Sequence, residues 1–275
     1  MKKVAIQGIQ TSFHDLAAQK YFGKEIEVVP CKTFAETCEK LKNREVDYCV
    51  MAIENTIAGC LLPNFFLLKD YKLKVVGDVF LHIQMNLMAQ KGVKLDQIKV
   101  VQSHPIAIRQ CAEFLGQYPD IEIKEKMDTA ACAQEIAELN LTDTAAIANE
   151  AAAKAFGLDI LEKRIETNKQ NFTRFFILSN EVEENSDSNK ATLSFQLGHS
   201  VGSLSEVLGI FSENQINLTM IQSIPIIGKP QDYTFHVDVT WDDHNNYELA
   251  ISKILRRVVN LSVLGEYKAA QLPNL

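Results

Sequence analysis

No stretch of this sequence comes near the roughly 20 consecutive apolar residues that a membrane-spanning helix requires. The amino-terminal MKKVAIQGIQTSF has two lysines but only a short apolar stretch, broken by Gln7 and Gly8. A secretory leader needs a longer apolar core and a small-residue cleavage site. The expected location is therefore the cytoplasm, where thiols stay reduced. There is no long Lys/Arg block, and 28 basic against 35 acidic residues give a formal charge of −7. Such a surface repels phosphate backbones, which argues against nucleic acid as a partner. The six cysteines, 31, 38, 49, 60, 111 and 132, form no C-x-x-C pair and have no histidine cluster at zinc spacing. They read as small buried apolar side chains, with no metal site. Neither G-x-G-x-x-G nor a Walker sequence occurs, so no nucleotide cofactor is expected.

What is present is ordinary for a globular protein: 47 % apolar and 23 % charged residues over 275 positions. That length holds one large domain plus a small one. From residue 2 to about 180, strands and helices alternate, which implies a mainly parallel sheet. KVAIQ, IEVVP and VDYCVMAI read as strands, the last running into a loop ENTIAG, with helices from Ser12 to Gly23 and from Thr33. The pattern restarts near residue 98. IKVVQ, IEIKE and TAAIA read as strands, and HPIAIRQCAEFL, DTAACAQEIAEL and NEAAAKAFG as helices. Two α/β lobes result, lobe 1 at about 1–80 and 160–180 and lobe 2 at about 81–159, with the ligand expected in the cleft.

Residues 181–190, EVEENSDSNK, have almost no apolar side chains and read as a linker. Residues 191–275 then follow the order β-α-β-β-α-β, the ferredoxin-like sandwich.

Asn171-Phe172-Thr173-Arg174-Phe175 resembles the Thr-Arg-Phe segment of prephenate dehydratases. Ile53-Glu54-Asn55-Thr56 with Ala58-Gly59, Ser103-His104-Pro105 with Gln110-Cys111, and Asp128-Thr129-Ala130-Ala131 match further segments of that family in order. The matches, with the C-terminal domain, span nearly the whole chain. The resemblance implies a periplasmic-binding-protein-like catalytic domain of two lobes at 1–180 and an ACT regulatory domain at 191–275. The implied activity is decarboxylation and dehydration of prephenate to phenylpyruvate in phenylalanine synthesis, without cofactor or metal. It also implies L-phenylalanine as effector and a homodimer or homotetramer.

Such a reaction needs a hydrogen-bond donor for the departing hydroxyl, which the resemblance assigns to Thr173. It needs a cation for a carboxylate, a task that suits the guanidinium fork of Arg174. It also needs an uncharged polar lining that binds the ring carboxylate without over-stabilising it, here Asn55, Thr56, Ser103, Gln110 and Thr129, with Phe175 in the wall. Each residue also has a plainer reading. Arg174 and Thr173 are acceptable strand residues and Phe175 a core residue. Ser103 and Asp128 suit helix N-caps. Glu54 reads as a loop-fixing residue and His104 as structural.

The first loop departs from the family pattern Gly-x-x-Gly-Ser/Thr-Phe-Ser/Thr. Thr11 stands at its second glycine and His14 at its last hydroxyl residue. A threonine would be strained at positive φ, so a reshaped loop is expected. In the ACT region, Gly202-Ser203-Leu204 and Asn217-Leu218 match effector-binding segments. Gln222-Ser223-Ile224-Pro225 lacks the acidic and basic residues of a Glu-Ser-Arg-Pro-like motif. The rival readings are arogenate as substrate and a two-lobed sensor without chemistry. A transcriptional regulator would need a helix-turn-helix and a basic face, and the sequence offers neither.

Overall fold

Lys2–Gln7 forms β1, its Val4, Ala5 and Ile6 fully buried as an interior strand of a sheet covered on both faces requires. The computed structural model describes residues 1–183 and 185–273; Glu184 of the expected linker and the last two residues lie outside these. After β1 come α1 (Phe13–Phe22), β2 (Ile26–Cys31), α2 (Phe34–Lys42), β3 (Tyr48–Asn55), β4 (Gly59–Cys60), α3 (Leu62–Tyr71) and β5 (Lys74–His82). Then follow β6 (Asn86–Ala89), β7 (Val100–Ser103), α4 (Pro105–Gln110), α5 (Ala112–Leu115), β8 (Glu122–Glu125), α6 (Thr129–Glu138), β9 (Thr144–Ala148), α7 (Glu150–Phe156), β10 (Asp159–Glu162) and β11 (Phe172–Ser179). Ser12, Thr33, His104, Asp128 and Asn149 cap helices by accepting backbone N–H bonds in the first turn. Such caps contribute about 1 kcal/mol each.

These strands form two sheets. The first runs β2-β1-β3-β11-β5 with β4 on β3, and the second β10-β6-β9-β7-β8. Pairing is parallel from β1 to β2 and β3, and from β7 to β8 and β9. The antiparallel members β6 and β10 were not read from sequence. The chain passes from the first sheet to the second between β5 and β6 and returns between β10 and β11. The two crossings are tied together: Ile83 N donates to Asn171 O (2.7 Å), Ile165 N to Met85 O (2.8 Å) and Met85 N to Glu166 Oε2 (2.9 Å).

Three local expectations are corrected. Glu54 and Asn55 belong to β3 and pair with β4, so the loop ENTIAG is in part a tight hairpin. The helix expected over HPIAIRQCAEFL breaks at Cys111, whose ψ of 17° separates α4 from α5. Its N-cap is His104, while Ser103 is strand and its Oγ donates to Ile147 O.

By internal contacts the chain divides into Met1–Leu67 with Val79–Phe175 and the end from Leu272, and a second unit, Leu68–Asp78 with Phe176–Gln271. The second unit holds β12 (Lys190–Gln196), α8 (Ser203–Glu213), β13 (Asn217–Ile226), β14 (Lys229–Thr240), α9 (His244–Ile254) and β15 (Val259–Tyr267). The antiparallel order β13-β14-β12-β15 with two helices is the ferredoxin-like arrangement. Its core includes Phe195, Phe211, Tyr247 and Ile254, with Trp241 stacked 3.9 Å from Tyr247. Lys190, read from sequence as the last linker residue, is instead the buried start of β12, its ammonium 2.7 Å from Asp78 Oδ2. Gly265 of β15 lies so close to Val75 that a Cβ would be 1.8 Å from the carbonyl oxygen, leaving glycine the only fit.

Candidate active site

Where β3 ends beside β11, three amide side chains close a ring. Asn55 Nδ2 donates to Asn171 Oδ1 (2.8 Å), Asn171 Nδ2 to Gln110 Oε1 (2.9 Å), and Gln110 Nε2 to Asn55 Oδ1 (3.3 Å). All three residues are buried, and each amide restrains the others, which fixes their orientations. Asn55 Oδ1 also accepts from the backbone N–H of Ile57 and Ala58, holding the hairpin against the ring.

The ring orients one hydroxyl. Asn55 Nδ2 donates to Thr173 Oγ1 at 2.9 Å. A hydroxyl that accepts there keeps its own hydrogen for another acceptor. Thr173 lines a cavity of about 280 Å³, together with Asn55, Gln110, Thr129 and Phe175. Phe13, Phe34, Leu61, Ile83 and Met85 give that cavity apolar walls. Thr173 and Phe175 share this face because side chains alternate along a strand.

The same alternation sends Arg174 elsewhere. It is 3 % exposed, lies outside the cavity lining, and stacks its guanidinium 5.8 Å from the Phe80 ring centroid. The expected pairing of hydroxyl and guanidinium in one pocket is thus corrected. Thr56 and Ser103 are also outside the lining. Thr56 Oγ1 is engaged with Gln170 O and Phe172 N, and Ser103 is fully buried. Among the described lining residues there is neither lysine nor arginine.

The protein-family model for prephenate dehydratase matches residues 4–183, and that for the ACT domain residues 191–255. The chain belongs to the prephenate dehydratase family. Its relatives include the bifunctional chorismate mutase/prephenate dehydratase of Buchnera aphidicola, 30 % identical over 96 % of this chain and 70 % of that protein. The chloroplastic arogenate dehydratase/prephenate dehydratase 2 of Arabidopsis thaliana is 36 % identical over 86 % of this chain and 64 % of its own length. Among solved structures, the Arthrobacter aurescens prephenate dehydratase in complex with L-Phe superposes with a TM-score of 0.85 at 25 % identity, covering 99 % of this chain and 92 % of that one. An enzyme described as a novel type of quorum quenching acylase superposes at 0.86 and 25 % identity, covering 98 % of both.

In this prephenate dehydratase fold two ten-residue helices, α1 and α6, bring their N-termini to the cavity through Ser12, Phe13 and His14, and through Asp128 and Thr129. Helix N-termini carry partial positive charge and attract anions. Asp128 Oδ1 caps α6 by accepting from Ala131 N, and burial raises its pKa above the usual carboxylate value. Its other oxygen packs on Gly8, where a Cβ would lie 2.2 Å away and φ is +96°, so only glycine serves.

Two histidines line the same cavity. His104 Nδ1 accepts from Ile106 N, so the ring hydrogen is on Nε2, and burial with nearby Arg109 lowers its pKa. His14 is pushed down to about 3 by burial and by His104. Its ring meets Phe34 and Phe175 edge-on at 5.2 and 5.1 Å. Nε2 is enclosed and has no hydrogen-bond partner among the described residues, a state that costs about 1–3 kcal/mol.

In the first loop Thr11 takes a positive φ of 69°, the conformation in which a threonine is strained, held by its N–H on Asp15 Oδ2 (2.6 Å) and by Asn149 Nδ2 on its carbonyl (2.7 Å). Asn171 stands just ahead of the Thr-Arg-Phe segment, where its own neighbours give it no functional signal. Its place in the amide ring joins positions 55, 110 and 171, which no local pattern connects. The six cysteines form no disulfide, and five of them are buried.

Proposed function

We propose that the cavity beside Thr173 binds prephenate and releases phenylpyruvate, carbon dioxide and water. The bond from the ring to its carboxylate breaks, and its electron pair enters the ring. The carbon–oxygen bond to the hydroxyl breaks at the far side, and the leaving oxygen takes up one proton to become water. The observation that carries this reading is the Thr173 hydroxyl, which accepts from Asn55 and is left free to donate into an apolar-walled cavity. A donor so placed is worth about 10²–10⁴-fold in rate. Threonine is a weak acid, so its hydroxyl acts as a hydrogen-bond donor that strengthens as charge develops on the leaving oxygen. The N-termini of α1 and α6 and the neutral Nε2–H of His104 supply the polarity for the substrate's carboxylates in place of Arg174. Asn55, Gln110 and Thr129 add uncharged hydrogen-bonding groups, with Phe175 as ring wall.

Incubation of purified protein with prephenate, followed by phenylpyruvate absorbance at alkaline pH, tests the proposal. Absence of turnover would refute it. Arogenate is assayed in parallel, because relatives 36 % identical bear the name arogenate dehydratase.

For residues 191–275 the proposed role is regulation by L-phenylalanine, a ligand that the Arthrobacter relative's structure contains. A cavity of about 370 Å³ in the C-terminal unit is lined by residues including Ser203, Leu204, Tyr233 and Phe235. Gly202 precedes it at φ 86° as the N-cap of α8, whereas Asn217 and Leu218 open β13 outside this lining. A homo-oligomer is proposed because β13 ends the four-stranded sheet with Ile221 exposed. Phenylalanine titration against turnover and light scattering test these two points. The cytoplasm remains the proposed location; no helix among the described residues is long and apolar enough to cross a membrane.

A further inference from the structure

Most buried polar groups around the cavity are spoken for. The amides of 55, 110 and 171 satisfy one another, Asp128 caps α6, and His104 caps α4. His14 stands apart. It is the second residue of α1, sits in the cavity wall, and makes edge-on contacts with Phe34 and Phe175. Its Nε2 is enclosed with no protein partner among the described residues, whereas its Nδ1 is neither enclosed nor hydrogen-bonded to them. Nδ1 is thus the ring nitrogen that a ligand in the cavity can reach, and a bond there would give the imidazole the partner that the protein does not supply.

We infer that His14 is a substrate-positioning residue, whose uncharged ring hydrogen-bonds the carboxylate carried by the six-membered ring of the bound substrate. The inference rests on the prephenate reading above. Phe175, which His14 touches, stands one side-chain step along β11 from Thr173, roughly 7 Å on the same face. A substrate whose hydroxyl meets Thr173 therefore extends its opposite carbon, the one bearing the departing carboxylate, toward the imidazole. The chemistry favours a neutral partner there. A full cation would stabilise the carboxylate in the ground state and hold back its loss, whereas a neutral N–H orients it at little cost to the rate. The structure keeps the ring neutral by enclosing it, by placing His104 nearby, and by setting it at the positive end of α1.

The product lacks this carboxylate but keeps the pyruvyl one, so the two ligands separate the contacts. Steady-state kinetics with prephenate and product inhibition by phenylpyruvate are measured for wild type, His14→Phe, His14→Gln and His14→Ala. His14→Phe keeps an aromatic ring between Phe34 and Phe175. It is expected to raise KM for prephenate about 10–100-fold while the phenylpyruvate inhibition constant stays within about twofold, and His14→Gln recovers most of the loss. His14→Ala gives the same ratio should the phenylalanine variant fail to fold. Equal shifts for substrate and product, or a wild-type KM in both His14→Phe and His14→Ala, would overturn the inference. A wild-type protein that does not turn over prephenate would instead sink the reading it rests on.

Discussion

The two units treat several of their buried polar groups differently. In the C-terminal unit some pair off: Lys190 with Asp78 at 2.7 Å, and Thr192 Oγ1 with both Asp238 Oδ1 and the Tyr267 hydroxyl, each at 2.7 Å. In the two-lobed unit some buried polar groups meet at a cavity, where Thr173 retains a hydrogen to give and His14 an unmet nitrogen, and Thr11 in the loop before α1 has an unmet hydroxyl. Both patterns cost desolvation, but only the first recovers it within the protein. Unmet capacity around a cavity marks where a ligand finishes the bonding. Completed pairs inside a sandwich mark a unit whose polar interior serves its fold.

Substitutions in the two places should therefore fail differently. Thr173→Ala is expected to lower kcat by about 10²–10⁴-fold with an unchanged melting temperature, read by initial rates and thermal denaturation. Lys190→Ala removes the buried ammonium 2.7 Å from Asp78, so it should destabilise by about 3–5 kcal/mol in denaturant titration. Turnover per folded molecule should remain. If Lys190→Ala instead reduced kcat at full stability, the division between a reactive and a structural polar interior would be wrong.

Acid sharpens the comparison, because each unit contains a buried neutral histidine. Burial holds His14 at about 3 and His236 at about 4, against 6.5 for an exposed imidazole. Between those values the unfolded chain binds protons that the folded chain refuses. Stability from both groups is thus fully present above about pH 6.5 and is lost as pH falls toward about 4. The melting temperature should decline over that window. His14→Phe and His236→Phe should each flatten the slope, and a slope unchanged in both would contradict the assignment.

The smallest effect concerns the loop. Thr11 occupies a left-handed conformation that costs a β-branched residue about 1–2 kcal/mol. Thr11→Gly removes this strain but adds about 0.5–1 kcal/mol of unfolded-chain entropy. A net gain of roughly 0.5–1 kcal/mol is expected in denaturant titration.

Much of the architecture was readable residue by residue. Strand–helix alternation, the caps at Ser12, Thr33 and Asp128, and the β-α-β-β-α-β order are encoded by nearest neighbours and by periodicity. The region from Leu61 to Ala89 was not readable. CLLPNFFLL is apolar but for Asn64, so no period marks the helix α3, and the strand β5 begins inside the charged stretch KDYKLK. Likewise Asn171, just ahead of the Thr-Arg-Phe segment, gains its meaning from residues 55 and 110, more than 60 positions away.

By itself the sequence determined the family, much of the order of elements and the presence of Thr173, because motifs and hydrophobic periods are written in consecutive residues. Only tertiary structure decided which of two adjacent residues entered the cavity. Pleating in β11 turns Thr173 and Phe175 to one face and Arg174 to the other, and the packing of the sheet chooses which face borders the cavity. Structure also helps to hold Thr11 at a φ that its side chain disfavours, since beside the local bond to Asp15 its carbonyl accepts from Asn149, the N-cap of α7.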